Sequence, residues 1–211
     1  MTTVTRWWWV RHAPVTEHNG TIYGQMDLPC DCSDQATFQA LAGMLPVGAA
    51  LVRTPLQRTA QTAEAIAVQG LDFSESLIEP DFKEQSFGDW QGVSYEDFDK
   101  IRDGIAHRYW LAPAYERAPN GESFTDLIAR TVPAITKLTA SHAGRDIIAV
   151  THGGTIRAAI SFALGLDPER VLAFSIDNCS VTRLDHIDHE GQHHWRVGFI
   201  NWLPRSKGDQ S

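Results

Sequence analysis

Two histidines stand directly behind apolar runs in distant parts of the chain. His12 follows Trp7-Trp8-Trp9-Val10-Arg11, and His152 follows Ile147-Ile148-Ala149-Val150-Thr151. The arginine beside His12 offers a planar fork of donors that matches phosphate or carboxylate oxygens two at a time. Gly153-Gly154 behind His152 lets backbone approach a ligand closely, and a following helix presents its N-terminal amides to an anion. A histidine alone at a strand end is ordinarily structural. Two of them, each with anion-binding company, point to one site for nucleophilic or acid–base chemistry.

Two further segments fit that chemistry. Arg58 lies in Thr54-Pro55-Leu56-Gln57-Arg58-Thr59-Ala60-Gln61-Thr62-Ala63. A cation in the first turn of a helix is slightly unfavourable there, so its presence suggests an anionic ligand. Glu84 lies among Phe82, Phe87 and Trp90. An apolar setting and a nearby phosphate both favour a protonated carboxyl, which is what a proton donor to a leaving alkoxide needs. A solvated arginine and an exposed loop glutamate are the plain alternatives for these two residues.

Placing these groups together requires particular elements. Both apolar runs read as buried parallel strands, the first over residues 5–10 and the second over 146–151. In an open α/β sheet, ligands bind beyond the carboxyl ends of such strands. Strand-like and helix-like stretches alternate along the chain, which predicts one α/β domain over residues 1–211. Ser33 or Asp34 is placed to cap a helix with Phe38, Leu41, Ala42 and Leu45 on one face. Residues 49–53 form a short strand, and Pro55 sits where a helix can begin. Behind it Leu56, Ala60, Ala63 and Ala67 make a stripe that leaves Arg58 on another face. Residues 82–118 read as a helical insertion. A helix runs from Glu122 to about residue 140 with Pro133 inside it, where a kink is expected. A second helix, 155–164, follows His152. Residues 180–185 and 194–200 read as closing strands, and the polar tail from about 204 as frayed.

Composition narrows the function classes. The net charge of −8 argues against a general nucleic-acid surface. Apolar content of 43% and charged content of 21% are those of an ordinary globular protein. No window approaches a membrane span, and no secretory leader is read at the N-terminus. The three cysteines, Cys30, Cys32 and Cys179, suit free thiols in a reducing compartment, hence a cytoplasmic location. Cys30-x-Cys32 reads as two loop thiols. His186, His189, His193 and His194 cluster within nine residues, interspersed with acids, and read as a solvated hairpin loop rather than a metal site.

Taken together, the segments resemble the histidine phosphatase superfamily, which includes the cofactor-dependent phosphoglycerate mutases. Arg11-His12-Ala13 is similar to its Arg-His-Gly signature, and residues 54–63 to its Ser-Pro-Leu-x-Arg-Ala-x-Gln-Thr-Ala segment. Residues 84–92 are similar to Glu-x-x-x-Gly-x-Trp-Glu-Gly, and residues 151–157 to Ser-His-Gly-Gly-x-Ile-Arg. Pro119-Asn120-Gly121-Glu122-Ser123 and Asn178-Cys179-Ser180-Val181-Thr182 also resemble segments of the small phosphatase members. Tyr23-Gly24-x-x-Asp27-x-Pro29 looks most like the α-ribazole phosphatase branch. Ala13, Arg53, Thr54 and Gln91 depart from the pattern, and Thr16 and Asn19 align only with a gap. The resemblance implies a three-layer α/β/α fold with a mostly parallel sheet. It implies a metal-independent phosphomonoester hydrolase that needs no cofactor and acts on a small phosphorylated metabolite through a phosphohistidine. His12 would be the nucleophile and Glu84 the proton donor. Arg11, Arg58, His152 and Gly153 would hold the phosphate, with no metal. A mutase of the phosphoglycerate type is the alternative, and a non-catalytic phospho-ligand binder a third reading. The oligomeric state stays open, with a homodimer as one option.

Overall fold

The structure is a computed structural model that describes residues 1–102 and 107–204. Six strands form one sheet: β1 (Thr2–Arg11), β2 (Ala50–Arg53), β3 (Glu75–Ile78), β4 (Asp146–Thr151), β5 (Val181–His189) and β6 (Gln192–Trp202). Their spatial order is β3-β2-β4-β1-β5-β6. The first four run parallel, while β5 and β6 run antiparallel to their neighbours. The predicted α/β sandwich with a mostly parallel sheet is therefore the architecture observed.

Alternation along the central strands separates two cores. Trp7, Trp9, Ile147 and Ala149 face one layer, packed against Phe124, Leu127 and Ile135 of α4 (Phe124–Ser141) and Ile156 and Ile160 of α5 (Gly153–Leu164). Val10, Ile148 and Val150 face the other, against Phe38 and Leu41 of α1 (Gln35–Met44) and Ala63 and Ile66 of α2 (Gln57–Val68). The tryptophan run is thus a strand seen from both sides. Trp7 and Trp9 stack with ring centroids 4.8 Å apart, and Trp8 turns the other way to donate to Asp146. β1 starts three residues earlier than expected because it is paired along its whole length, with Thr2 opposite His189.

Register does the positioning. Arg11 of β1 lies opposite Thr151 of β4, so His12 and His152 emerge side by side at the carboxyl end of adjacent strands. The His12 N–H donates to Thr151 O at 2.9 Å and fixes that end.

Several local expectations change. The buried face of α2 is Arg58, Thr59, Thr62, Ala63 and Ile66, so Arg58 lies on the buried face and not opposite it. The helix begins at Gln57, two residues past Pro55. α4 begins at Phe124, because Ser123 and Asp126 form a reciprocal capping box, a device worth about 1 kcal/mol. α4 runs on through Pro133. Among its described residues the predicted insertion holds one short helix, α3 (Tyr95–Ile101), a 3₁₀ turn at Gly88–Trp90 and irregular chain. Its own small core comprises Phe87, Trp90, Phe98, Ala112 and Ala118, with Ile22 from the 15–30 loop. A final short helix, α6 (Pro168–Val171), precedes β5.

The histidine cluster is not a loop. His186 and His189 belong to β5, His193 and His194 to β6, and the turn is Glu190-Gly191, both at positive φ (54° and 80°). That pair of left-handed residues matches the twist of a two-residue hairpin. The cluster missed by the hairpin prediction is thus strand, in ladders such as Asp188 opposite His193. Among the described residues, no group of three or more His, Cys, Asp or Glu side chains is arranged to hold a metal ion. The tail beyond Pro204, read as frayed, lies outside the described residues, as do residues 103–106 of the insertion.

Candidate active site

His12 is almost fully buried, at 1% exposure. Its Nδ1 lies 2.6 Å from Ala13 O. A carbonyl only accepts, so Nδ1 carries the proton and Nε2 keeps a free lone pair. Burial pushes the imidazole well below its ordinary value of 6.5, and the positive charges of Arg58 and Arg11 push it further. The backbone behind it is held from two sides. Asn178 Nδ2 donates to His12 O at 2.8 Å, and the Ala13 N–H donates to Thr62 Oγ1 at 2.9 Å.

His152 lies against it, with ring centroids 5.2 Å apart and planes at 60°. Arg58 Nε donates to His152 Nδ1 at 3.3 Å, which leaves the proton on Nε2, 3.1 Å from Thr54 Oγ1. His152 is therefore a neutral ring with a donor at Nε2. Burial, Arg58, His12 and Arg11 all lower it well below 6.5.

Arg58 is fully buried and held in place by carbonyls of the 15–30 loop. Nη1 donates to Met26 O and Nη2 to Gly24 O, each at 2.7 Å, and Tyr23 lies under the guanidinium. With Nε on His152, three of its five N–H donors are engaged, and two remain for a ligand. Arg11 donates from Nη1 to Ile176 O at 2.5 Å, while its buried Nε has no partner among the described residues. A buried donor without a partner costs about 1–3 kcal/mol, and an anion at this point would recover it.

Glu84 reaches the same rim from the insertion. Its two carboxylate oxygens accept the Gln85 N–H at 2.9 Å and the Gly154 N–H at 3.2 Å. The glycine at 154 is required by that contact, since a Cβ there would lie 2.2 Å from Glu84 Oε1. Gly153 is the first residue of α5, beside the Arg11 and Arg157 guanidinium groups. A cavity of about 340 Å³ opens above Arg11 and Glu84, walled by Tyr23, Phe87, Tyr95, Arg108 and Trp110. The buried His12, Arg58 and His152 do not line it, whereas Arg11 and Glu84 do. Cavities of about 490 and 760 Å³ elsewhere are larger, but no residue of this cluster borders them. Asn19 is exposed, in a turn at φ 50°.

The network behind Glu84 was not assigned a role from sequence. Arg130 of α4 pairs with both oxygens of Glu122, at 2.8 and 3.0 Å, and donates to Asp81 O and Glu84 O. Glu122 in turn accepts the Ser86 N–H at 2.8 Å. Gln25 Nε2 donates to Glu84 O, and Gln91 Oε1 accepts the Gln25 N–H. Gly88 lets the 119–121 segment dock, because a Cβ there would sit 2.0 Å from Pro119 O. The signal for Arg130 was present as an arginine eight residues after Glu122, but only the tertiary contact gives it meaning. In the sequence Arg157 stands out only as the last residue of the 151–157 segment. It donates to Phe174 O and stacks under Trp110 at 4.6 Å, and burial lowers it to about 10.

Two strand-end histidines, the buried Arg58 and the half-buried Arg11 gather at the carboxyl end of the parallel strands, a set of groups able to bind an anion. The chain belongs to the histidine phosphatase superfamily (branch 1), whose family model matches residues 7–198. It is 30% identical over 168 residues to a glucosyl-3-phosphoglycerate phosphatase of Mycolicibacterium vanbaalenii, covering 74% of this chain and 73% of that protein. It is 26% identical over 207 residues to a probable phosphoglycerate mutase of Escherichia fergusonii, covering 96% and 92%. A mycobacterial glucosyl-3-phosphoglycerate phosphatase structure superposes with a TM-score of 0.79 at 25% identity, over 94% of this chain and 99% of that one. Against a bifunctional protein of Mycobacterium tuberculosis, 32% identical over 117 residues, the match spans 55% of this chain and only 31% of the relative.

Proposed function

We propose that the chain is a phosphomonoester hydrolase that moves a phosphoryl group from a small phosphorylated metabolite to His12, and from there to water. The observation that carries this reading is the His12 ring. Its Nδ1–H is committed to Ala13 O, which leaves the lone pair on Nε2, and burial with the positive charges of Arg58 and Arg11 suppresses its protonation. In-line attack by Nε2 forms a phosphohistidine and splits one hard step into two. Arg11, the two remaining donors of Arg58, the His152 Nε2–H and the Gly153 amide stabilise charge on the non-bridging oxygens. The His152 Nε2–H leaves Thr54 to do so. Glu84 protonates the leaving oxygen and later takes a proton from the attacking water. These cationic and neutral donors supply the charge that a metal ion supplies in other phosphoryl-transfer sites.

The test is acid-quenched labelling with a radiolabelled phosphomonoester. The expected result is label on the wild type and none on His12→Ala, together with loss of turnover. Label persisting on His12→Ala overturns the assignment. The mutase reading is favoured by the full-length similarity to a probable phosphoglycerate mutase. Assay with 3-phosphoglycerate and bisphosphoglycerate separates the two, because a mutase returns the phosphoryl group to substrate and a hydrolase releases it.

A further inference from the structure

We propose that Cys30 and Cys32 form a dithiol modification site, oxidised by peroxide to a reversible disulfide that loosens the grip of Arg58 on phosphate; the second half rests on the function proposed above. The two Sγ atoms lie 3.6 Å apart, so closure needs only a small movement. Both side chains are half-buried and border a surface cavity of about 340 Å³ with Gln61 and Glu64, wide enough for a small oxidant. Cys179, the remaining thiol, is buried.

Cys30 touches the backbone of Arg58 and, through Thr62, the backbone beside His12. The Cys30 S–H donates to Arg58 O at 3.3 Å, and its Sγ lies 3.6 Å from Thr62 Oγ1. The Thr62 hydroxyl donates to Arg58 O and accepts the N–H of Ala13, next to His12. The Cys30 N–H donates to Gln61 Oε1 of α2, and the Asp31 N–H to Pro14 O. A few residues upstream on the same loop, Gly24 O and Met26 O hold the Arg58 guanidinium. Shortening the 30–32 segment therefore pulls on groups that position both Arg58 and His12.

Reactivity follows from the same contacts. The hydrogen bond from Cys32 is the main effect lowering the Cys30 thiol to about 7, with Thr62 and the charge of Arg58 acting in the same direction. Burial pushes Cys179 up to about 12. The Cys30 thiolate attacks one oxygen of hydrogen peroxide, an S–O bond forms, the O–O bond breaks, and hydroxide leaves as water after protonation. The Cys32 sulfur then attacks Cys30, an S–S bond forms, the S–O bond breaks, and the second oxygen leaves as water with the Cys32 proton. Two electrons pass from the dithiol to the peroxide, and a dithiol reductant returns them.

The experiment treats the whole chain with hydrogen peroxide, then alkylates, maps peptides by mass and measures inorganic phosphate binding by calorimetry. The expected result is a Cys30–Cys32 cross-link with loss of two hydrogens and a phosphate Kd weakened about threefold or more, both reversed by dithiothreitol. Cys32→Ser should stop at one added oxygen on Cys30, captured by dimedone. A Cys30→Ser, Cys32→Ser variant should bind phosphate like the reduced wild type and ignore peroxide. Full alkylation of both cysteines after treatment, a link to Cys179 instead, or a cross-link that leaves the phosphate Kd unchanged overturns the proposal. Absence of phosphate binding before oxidation overturns the clamp, and with it the proposed consequence, while the cross-link still decides the site by mass alone.

Discussion

His12 and His152 meet edge to face with ring centroids 5.2 Å apart, although 139 residues separate them along the chain. Their approach is a direct product of strand register, since the residues before them are ladder partners. Each ring is locked in one tautomer by a different neighbour, Ala13 O for His12 and Arg58 Nε for His152. The two rings thereby take opposite roles, one exposing a lone pair and the other an N–H.

Both imidazoles are lowered well below 6.5, by burial first and by Arg58 next. Below pH 6.5 the unfolded chain binds protons at these two positions that the folded chain refuses. Stability is therefore full above that value and falls as pH drops toward the folded-state values. Thermal unfolding across this range should show a decline that shrinks in His12→Gln. Ring resonances of the two residues should keep their neutral-form positions at pH 6. Ordinary titration of either ring near 6.5 would contradict the assigned roles.

Activity should persist in excess chelator. Arg11 and Arg58 bring two fixed positive charges to the site, and no metal-like cluster exists among the described residues. Hydrolysis of p-nitrophenyl phosphate after prolonged treatment with EDTA is the measurement. Loss of rate that added divalent metal restores would require a different chemistry.

The legible parts of this site were those written as strand ends. His12 and His152 could be placed because an apolar run fixes a strand and a strand fixes where its last residue points. The type of Arg58 is legible in the sequence, but the apolar stripe of α2 points to the wrong face for it. Its burial depends on Gly24 O and Met26 O, carbonyls more than thirty residues upstream, and no periodicity in α2 reports them. The histidine hairpin was misplaced for a similar reason. Glu190-Gly191 makes a tight turn through backbone conformation, whereas the polar residues around it suggested a loop. The support behind Glu84 was invisible because it is tertiary throughout, linking Arg130, Glu122 and three backbone carbonyls or amides.

That support makes Arg130 a positioning residue. Arg130→Leu removes donors from Asp81 O, Glu84 O and both oxygens of Glu122. Lost hydrogen bonds of this kind cost about 1–3 kcal/mol where groups are left without partners. The variant should melt earlier and lose about ten- to hundredfold in kcat for alkyl phosphates, with a smaller loss for aryl phosphates. Arg130→Lys should recover part of the stability and little of the rate, because a point charge cannot span Glu122 and two carbonyls at once. Equal losses on both substrate types would make its role merely structural.

Gly154 supplies a finer probe of the same carboxylate. A Cβ at this position would lie 2.2 Å from Glu84 Oε1 and 3.0 Å from Leu127 Cδ2. Leu127 is fixed in the core, so the carboxylate must give way and lose its bond to the Gly154 amide. Gly154→Ala should therefore fold and imitate Glu84→Gln. Both should slow alkyl phosphates, whose leaving oxygen needs a proton, by about ten- to a thousandfold while largely sparing p-nitrophenyl phosphate. Gly153→Ala meets Arg157 Nη1 at 3.2 Å and Arg11 Nε and Cζ at 3.7 and 3.8 Å, so its effect should fall on KM rather than on leaving-group dependence. The discriminating measurement is the slope of log kcat against leaving-group pKa. A slope in Gly154→Ala as shallow as that of the wild type would show that Glu84 does not protonate the leaving oxygen from this position.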